Sequence, residues 1–147
     1  MDYITGTVGN IGEAVALAEF TKRGYTVLIP FGQNAPYDLV VDINNRFYRI
    51  QCKSTEKVHD EEKMIFTTCR MNNITYQRTV YTSDEIDYMF VYCIENGYMG
   101  LIPIDQLGTK AITIRIAPPR NCQVNRIRMA ESYLLDTQIQ KMLKSAS

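Results

Sequence analysis

The chain has 147 residues, 46% of them hydrophobic, and its 16 basic and 16 acidic side chains cancel. That length and apolar content suit one domain spanning 1–147 with an ample core, and zero net charge argues against a strong polyanion binder. No run approaches the roughly 18 apolar residues of a membrane span, and the start, MDYITGT, lacks the basic and apolar regions of a secretion signal, so no membrane partner and a cytoplasmic location are expected.

In chain order, apolar spacing predicts a helix over 5–23 ended by Gly24, a strand at 25–30, a hairpin of strands 37–43 and 46–54 about Asn44-Asn45, and a strand at 63–69. A polar stretch follows. "IDYMFVYCI" (86–94) and "YMGLIPI" (98–104) read as a second hairpin across Glu95-Asn96-Gly97, "AITIRI" (111–116) as a short strand, and "RMAESYLLDTQIQKML" (128–143) as a C-terminal helix. The fold class is therefore α/β, an α+β sandwich whose mixed, mostly antiparallel sheet is flanked by an N-terminal and a C-terminal helix. Cys52, Cys69, Cys93 and Cys122 form no CxxC pair, which points to buried reduced thiols rather than zinc ligands or disulfides.

A two-residue turn at Asn44-Asn45 fixes the hairpin register so that paired positions sum to 89, which sets Asp38 opposite Gln51. Alternation sends Tyr37, Leu39, Val41, Tyr48, Ile50 and Cys52 to one apolar face, and Asp38, Val40, Asp42, Phe47, Arg49, Gln51 and Lys53 to the other. Opposed residues have Cβ atoms roughly 4.5–5.5 Å apart, close enough for a carboxylate and an amide oxygen to share a cation, with Lys53 about 7 Å along the same face. A plain solvent-facing strand surface has the same composition, so the pattern alone leaves both readings open. On a helical wheel Phe20, Leu17, Ala14 and Ala18 form an apolar stripe, and Glu13 falls between Phe20 and Leu17. A carboxylate there either faces the sheet, where an unpaired charge costs several kcal/mol, or reaches outward from the helix edge.

The order Glu13, then Asp38, then Gln51-Cys52-Lys53 resembles the active-site pattern of the PD-(D/E)xK nucleases. "GNIGEAVALAEFTKRGYTVLIPFGQNAPYDLVVDINNRFYRIQCKST", "IDYMFVYCIENGYMGLIPI" and "PPRNCQVNRIRMAESYLL" are similar to blocks of the small group in that family that includes a bacterial group I intron-encoded homing endonuclease. The resemblance implies a restriction-endonuclease-like core and a metal-dependent DNA endonuclease. In it Glu13, Asp38 and Gln51 would ligate Mg2+, or Mn2+ in its place, and Lys53 would orient or deprotonate the attacking water. Two departures stand out: Tyr37 separates Pro36 from Asp38, and Gln51 is neutral where most relatives carry a carboxylate.

Charge is unevenly distributed. From Asp105 onward there are seven basic residues against three acidic, and before it nine against thirteen. Arg120, Asn121, Gln123, Arg126 and Arg128 after Pro118-Pro119 suit phosphate and groove contacts with double-stranded DNA, with Arg70 and Arg78 as further candidates, and Tyr76 and Tyr81 either stack or pack. The same arginines also suit a loop capping the last helix. Cutting both strands commonly needs a second active site, so a homo-oligomer, dimer or tetramer, is expected. A catalytically inactive binding or assembly module of the same fold, and a junction-resolving or restriction-type nuclease, remain alternatives.

Overall fold

The computed structural model describes residues 2–72 and 74–145. In chain order the elements are α1 (Thr5–Lys22), β1 (Thr26–Leu28), β2 (Leu39–Ile43), β3 (Arg46–Thr55), β4 (Lys63–Thr67), β5 (Cys69–Met71), β6 (Arg78–Val80), β7 (Tyr88–Cys93), β8 (Met99–Pro103), β9 (Ala111–Arg115) and α2 (Leu135–Ser145), with short 3-10 turns at Ile104–Gln106 and Ala130–Tyr133. The central sheet has the order β1-β2-β3-β7-β8. It is antiparallel except where β3 runs parallel to β7, with Ile50 beside Tyr88 and Lys53 beside Val91. Two ribbons, β4-β9 and β5-β6, complete the strands. No helix among the described residues is long and apolar enough to cross a membrane.

The two faces of the sheet carry separate cores. Leu39, Val41, Ile43, Ile50, Cys52, Phe90 and Leu101 pack under Ala16 and Phe20 of α1 and Leu135, Ile139 and Met142 of α2. On the opposite face Met89, Val91 and Ile102 meet Met64, Phe66, Ile112 and Ile114 of the β4-β9 ribbon, closed by Tyr81, Ile86 and Tyr133. Burying a side chain such as Phe20, whose ring lies 6.2 Å from that of Phe90, contributes about 2–3 kcal/mol.

The β2-β3 register is the expected one, from Ile43 opposite Arg46 to Leu39 opposite Ile50. Asn44 and Asn45 both have positive φ, 55° and 65°, as a two-residue turn of this twist requires and asparagine tolerates. Elsewhere the expectations need correction. The 63–69 strand is split at Thr68, whose N–H donates to the Lys110 carbonyl and whose hydroxyl donates to the Gly108 carbonyl. The C-terminal helix starts at Leu135 rather than 128, because Leu134 is extended (φ −50°, ψ 139°) and bridges to Gly100 at the edge of β8. Cys52, Cys69 and Cys93 are buried free thiols, whereas Cys122 is exposed.

The stripe expected on α1 is also rotated. Its buried residues are Gly12, Ala16 and Phe20, while Ala14, Leu17 and Ala18 are exposed. Glu19 and Arg23 are partly sheltered instead, Arg23 bridging Glu19 at 2.6 Å and Asp136 of α2 at 2.7 Å and so tying the two helices together. At Gly12 the helix nearly touches β3: a Cβ built there would lie 1.8 Å from Ser54 Oγ, a buried hydroxyl without a hydrogen-bond partner among the described residues. Gly12→Ala is expected to lower unfolding free energy by about 1–3 kcal/mol in urea titrations, the usual cost of overpacking. Adding Ser54→Ala should recover part of it. Ser54→Ala alone should cost little, since the hydroxyl it removes is unsatisfied. A Gly12→Ala protein as stable as wild type would show that this contact carries no constraint.

Candidate functional site

β2 pairing begins at Leu39, and Asp38 sits at the bend just before it. The Asp38 N–H donates to the Ile50 carbonyl at 2.9 Å, which holds the residue opposite Gln51 without making it part of the strand. Tyr37, expected on the face of Leu39, packs with the other core instead, because alternation need not hold through a bend. One Asp38 oxygen, Oδ2, accepts from the Cys52 N–H and from Gln51 Nε2, each at 2.8 Å. Burial raises the Asp38 pKa above the usual carboxylate range, an effect opposed by the Cys52 amide and the Lys53 charge.

The Gln51 amide also donates to the Cys52 carbonyl at 3.2 Å. Its NH2 group therefore occupies a point faced by two oxygens, Asp38 Oδ2 and Cys52 O. A half-turn of the amide would bring Oε1 to the same point, leaving three oxygens converging, an arrangement that needs a cation between them.

Lys53 projects to the same side. Its ammonium donates to the Cys69 carbonyl at 3.4 Å and lies 5.7 Å from the centre of the Tyr81 ring. Burial lowers the Lys53 pKa and nearby Asp38 opposes the shift. Glu13, one residue beyond the Gly12 contact, is exposed at the helix margin yet lines two adjoining clefts with Asp38, of about 310 and 290 Å3. Its pKa is raised, first by partial burial and then by the Asp38 charge. Two carboxyl groups that both resist ionisation, beside a lysine that resists protonation, form a site that binding a cation would relieve.

The donor set fits a hard cation. Among the described residues no group of three His, Cys, Asp or Glu side chains converges, so the ligands at hand are Asp38, Gln51, the Cys52 carbonyl and, beyond them, Glu13. All are oxygens, which suits Mg2+ or Mn2+ and not a thiolate metal.

The family profile described as PD-(D/E)XK endonuclease matches residues 3–136. The chain belongs to that family. A bacterial homing endonuclease, I-Ssp6803I, has a similar solved structure, with a TM-score of 0.75 and 23% identity over 99% of this chain and 98% of that one. Hjc, a Holliday junction resolvase of Archaeoglobus fulgidus, is more distant, with a TM-score of 0.45 and 15% identity over 73% of this chain and 83% of that one. Comparison with curated protein sequences gives no match. The restriction-endonuclease-like arrangement expected of the PD-(D/E)XK family is present, with helices on one face of a mixed sheet and the D…QxK residues at the open end of the β2-β3 hairpin.

The candidate DNA contacts are scattered relative to that hairpin. Arg120 pairs with Glu62 at 3.0 Å, and Arg115 reaches the same carboxylate at 3.2 Å. Asn121 and Gln123 hold their own loop, Asn121 Oδ1 accepting from the Gln123 N–H and Gln123 Nε2 donating to the Asn125 carbonyl. Arg128 donates to the Gln106 carbonyl at 3.1 Å, and Arg126 is exposed with φ at 61°. Glu62 precedes β4, whereas the Cys69 carbonyl that accepts from Lys53 lies beyond its far end, so Arg120, held by Glu62, sits toward the opposite end of that strand from the Lys53 ammonium. Arg78 is exposed on β6. Arg70 stacks on Tyr81 with its guanidinium 5.2 Å from the ring centre and is paired with Glu85. Cys69, Tyr81 and Glu85 escape a sequence reading as parts of this site, since residues 70–85 have neither helical nor strand periodicity and Cys69 acts through its backbone.

Proposed function

We propose that the chain is a divalent-metal-dependent DNA endonuclease of the homing-endonuclease type, working as a homo-oligomer in which two copies of the site act on the two strands. The observation that carries this reading is the Asp38–Gln51 hydrogen bond at 2.8 Å on the same side of the hairpin as the half-buried Lys53 ammonium. Asp38, Gln51 and the Cys52 carbonyl would hold Mg2+ or Mn2+, with Glu13 holding a second ion or its water. The bound ion supplies Lewis-acid polarisation of the phosphate and a more acidic water. Lys53 holds the attacking water by hydrogen bonding, and burial lowers its pKa, which eases the exchange of a proton with that water. Once protonated it offsets the charge that develops on the phosphoryl oxygens.

Incubating the protein with a diverse duplex library and Mg2+, then sequencing the ends produced, tests the reading directly. Discrete cut sites with 5′-phosphate or 3′-phosphate ends are expected. Binding without cutting across Mg2+, Mn2+ and duplex, branched and single-stranded substrates would favour the inactive module, a reading to which the neutral Gln51 gives some weight. Gln51→Glu should tighten metal binding by restoring a negative ligand, visible as a lower Mg2+ requirement for cleavage.

The basic loop is expected to contribute through phosphates. Replacing Arg120, Arg126 or Arg128 singly with Ala should reduce the salt dependence of DNA binding by about one unit of log–log slope for each phosphate neutralised. An unchanged slope and affinity in the triple variant would assign the loop to capping alone.

A further inference from the structure

We propose that Tyr81 is a positioning residue of this site, its ring face seating the Lys53 ammonium against the Cys69 carbonyl and so fixing its distance from Asp38; the inference rests on the endonuclease reading above. Lysine is a flexible four-carbon stem carrying a point charge, and nothing in β3 itself dictates where the ammonium settles. Two contacts do. The Cys69 carbonyl accepts from Nζ at 3.4 Å on one side, and the Tyr81 ring lies 5.7 Å from it on another, within the range in which an aromatic face attracts a cation.

The ring is itself braced. Tyr81 is 8% exposed and packs with Ile86 and Met89 in the second core. The Arg70 guanidinium stacks on it at 5.2 Å, and Arg70 is neutralised by Glu85, whose other oxygen accepts from the Thr82 N–H and hydroxyl at 3.1 and 3.3 Å. Neutralisation matters because two bare cations on one ring would repel, whereas an Arg70 already paired leaves the ring's negative quadrupole available to Lys53. No described residue hydrogen-bonds the Tyr81 hydroxyl, so the ring face is what Tyr81 offers to Lys53. Phenylalanine should therefore serve where leucine fails.

Single-turnover and steady-state cleavage would be measured for wild type, Tyr81→Phe, Tyr81→Leu and Glu85→Gln. In parallel, lysines would be labelled by 13C reductive methylation, with the Lys53 resonance assigned through Lys53→Arg. Tyr81→Leu should lower kcat about tenfold with little change in KM for DNA, and Tyr81→Phe should restore it to within about twofold of wild type. Glu85→Gln, which loosens the brace and leaves the ring in place, should fall between. The labelled Lys53 methyl signal should be shifted upfield by the ring in wild type and Tyr81→Phe, and should move to the position of exposed lysines in Tyr81→Leu. Tyr81→Leu cleaving like wild type, Tyr81→Phe failing as badly as Tyr81→Leu, or a Lys53 signal indifferent to the ring would each overturn the proposal. If wild type cuts no DNA, the endonuclease reading fails on its own, and the resonance still decides whether Tyr81 seats Lys53.

Discussion

Asp38→Asn is expected to abolish cleavage, by about a thousandfold or more, while making the metal-free protein more stable. Both effects come from one buried carboxylate. Its folded-state pKa is raised, chiefly by burial, so the folded protein binds that proton more tightly than the unfolded chain. Stability therefore falls as pH rises between the two pKa values, and the cost is complete once the pH is above the folded-state pKa. Asparagine keeps an acceptor for the Cys52 and Gln51 amides and removes the charge. A Tm increase of a few degrees is the change that about 1 kcal/mol produces in a chain of this length. Divalent metal should raise the Tm of wild type, by an amount equivalent to about 2.7 kcal/mol at a hundred times its Kd, and should leave Asp38→Asn unmoved. Melting curves with EDTA and with Mn2+ check all of this, and a destabilised Asp38→Asn, or one that still responds to metal, contradicts the assignment.

Lys53→Ala should separate binding from chemistry. The ammonium is placed to act on a water and on developing charge, and removing one such group from a preorganised site costs about a hundredfold to a thousandfold in rate. DNA affinity measured in Ca2+ should hardly change, since the side chain points at the Cys69 carbonyl and the Tyr81 ring rather than out to solvent. Thermal stability should not fall either, because a half-buried cation is being removed. Lys53→Arg should not restore activity: a guanidinium holds its proton far more tightly than an ammonium and does not fit a seat built for a point charge. Cleavage surviving in Lys53→Ala would move the chemistry elsewhere.

Sequence gave access to the part of this site that is local. Asn44-Asn45 admits one register, and from it the meeting of Asp38 and Gln51 follows by counting; they lie 2.8 Å apart. Of the two readings open for Glu13, facing the sheet or reaching out from the helix edge, the structure has the second, since Ala14, Leu17 and Ala18 of its stripe are exposed and only Phe20 is buried. Glu13 reaches the clefts of Asp38 from the helix margin. A wheel cannot see that Arg23 pairs with both Glu19 and Asp136, the latter more than a hundred residues away, and so shelters that part of α1. Tyr81 is legible only as a ring that stacks or packs, and Cys69 and Glu85 not at all, for a related reason: their relation to Lys53 exists only once the chain from β5 to Glu85 is folded against its ammonium, and no periodicity in residues 70–85 announces it. The start of α2 was likewise decided from outside, by the bridge from Leu134 to Gly100.

The parallel pairing of β3 with β7 sets an order of events during folding. The β2-β3 hairpin, closed by its two-residue turn, can form within microseconds, and with it the Asp38–Gln51 pair. β7 cannot join β3 until the chain from Glu56 to Asp87 has looped back, and contacts of such sequence separation are reached late because loop-closure entropy opposes them. That same excursion delivers Cys69 and Tyr81. The hairpin oxygens of Asp38, Gln51 and Cys52 thus assemble early and locally, and the surroundings of Lys53 assemble last.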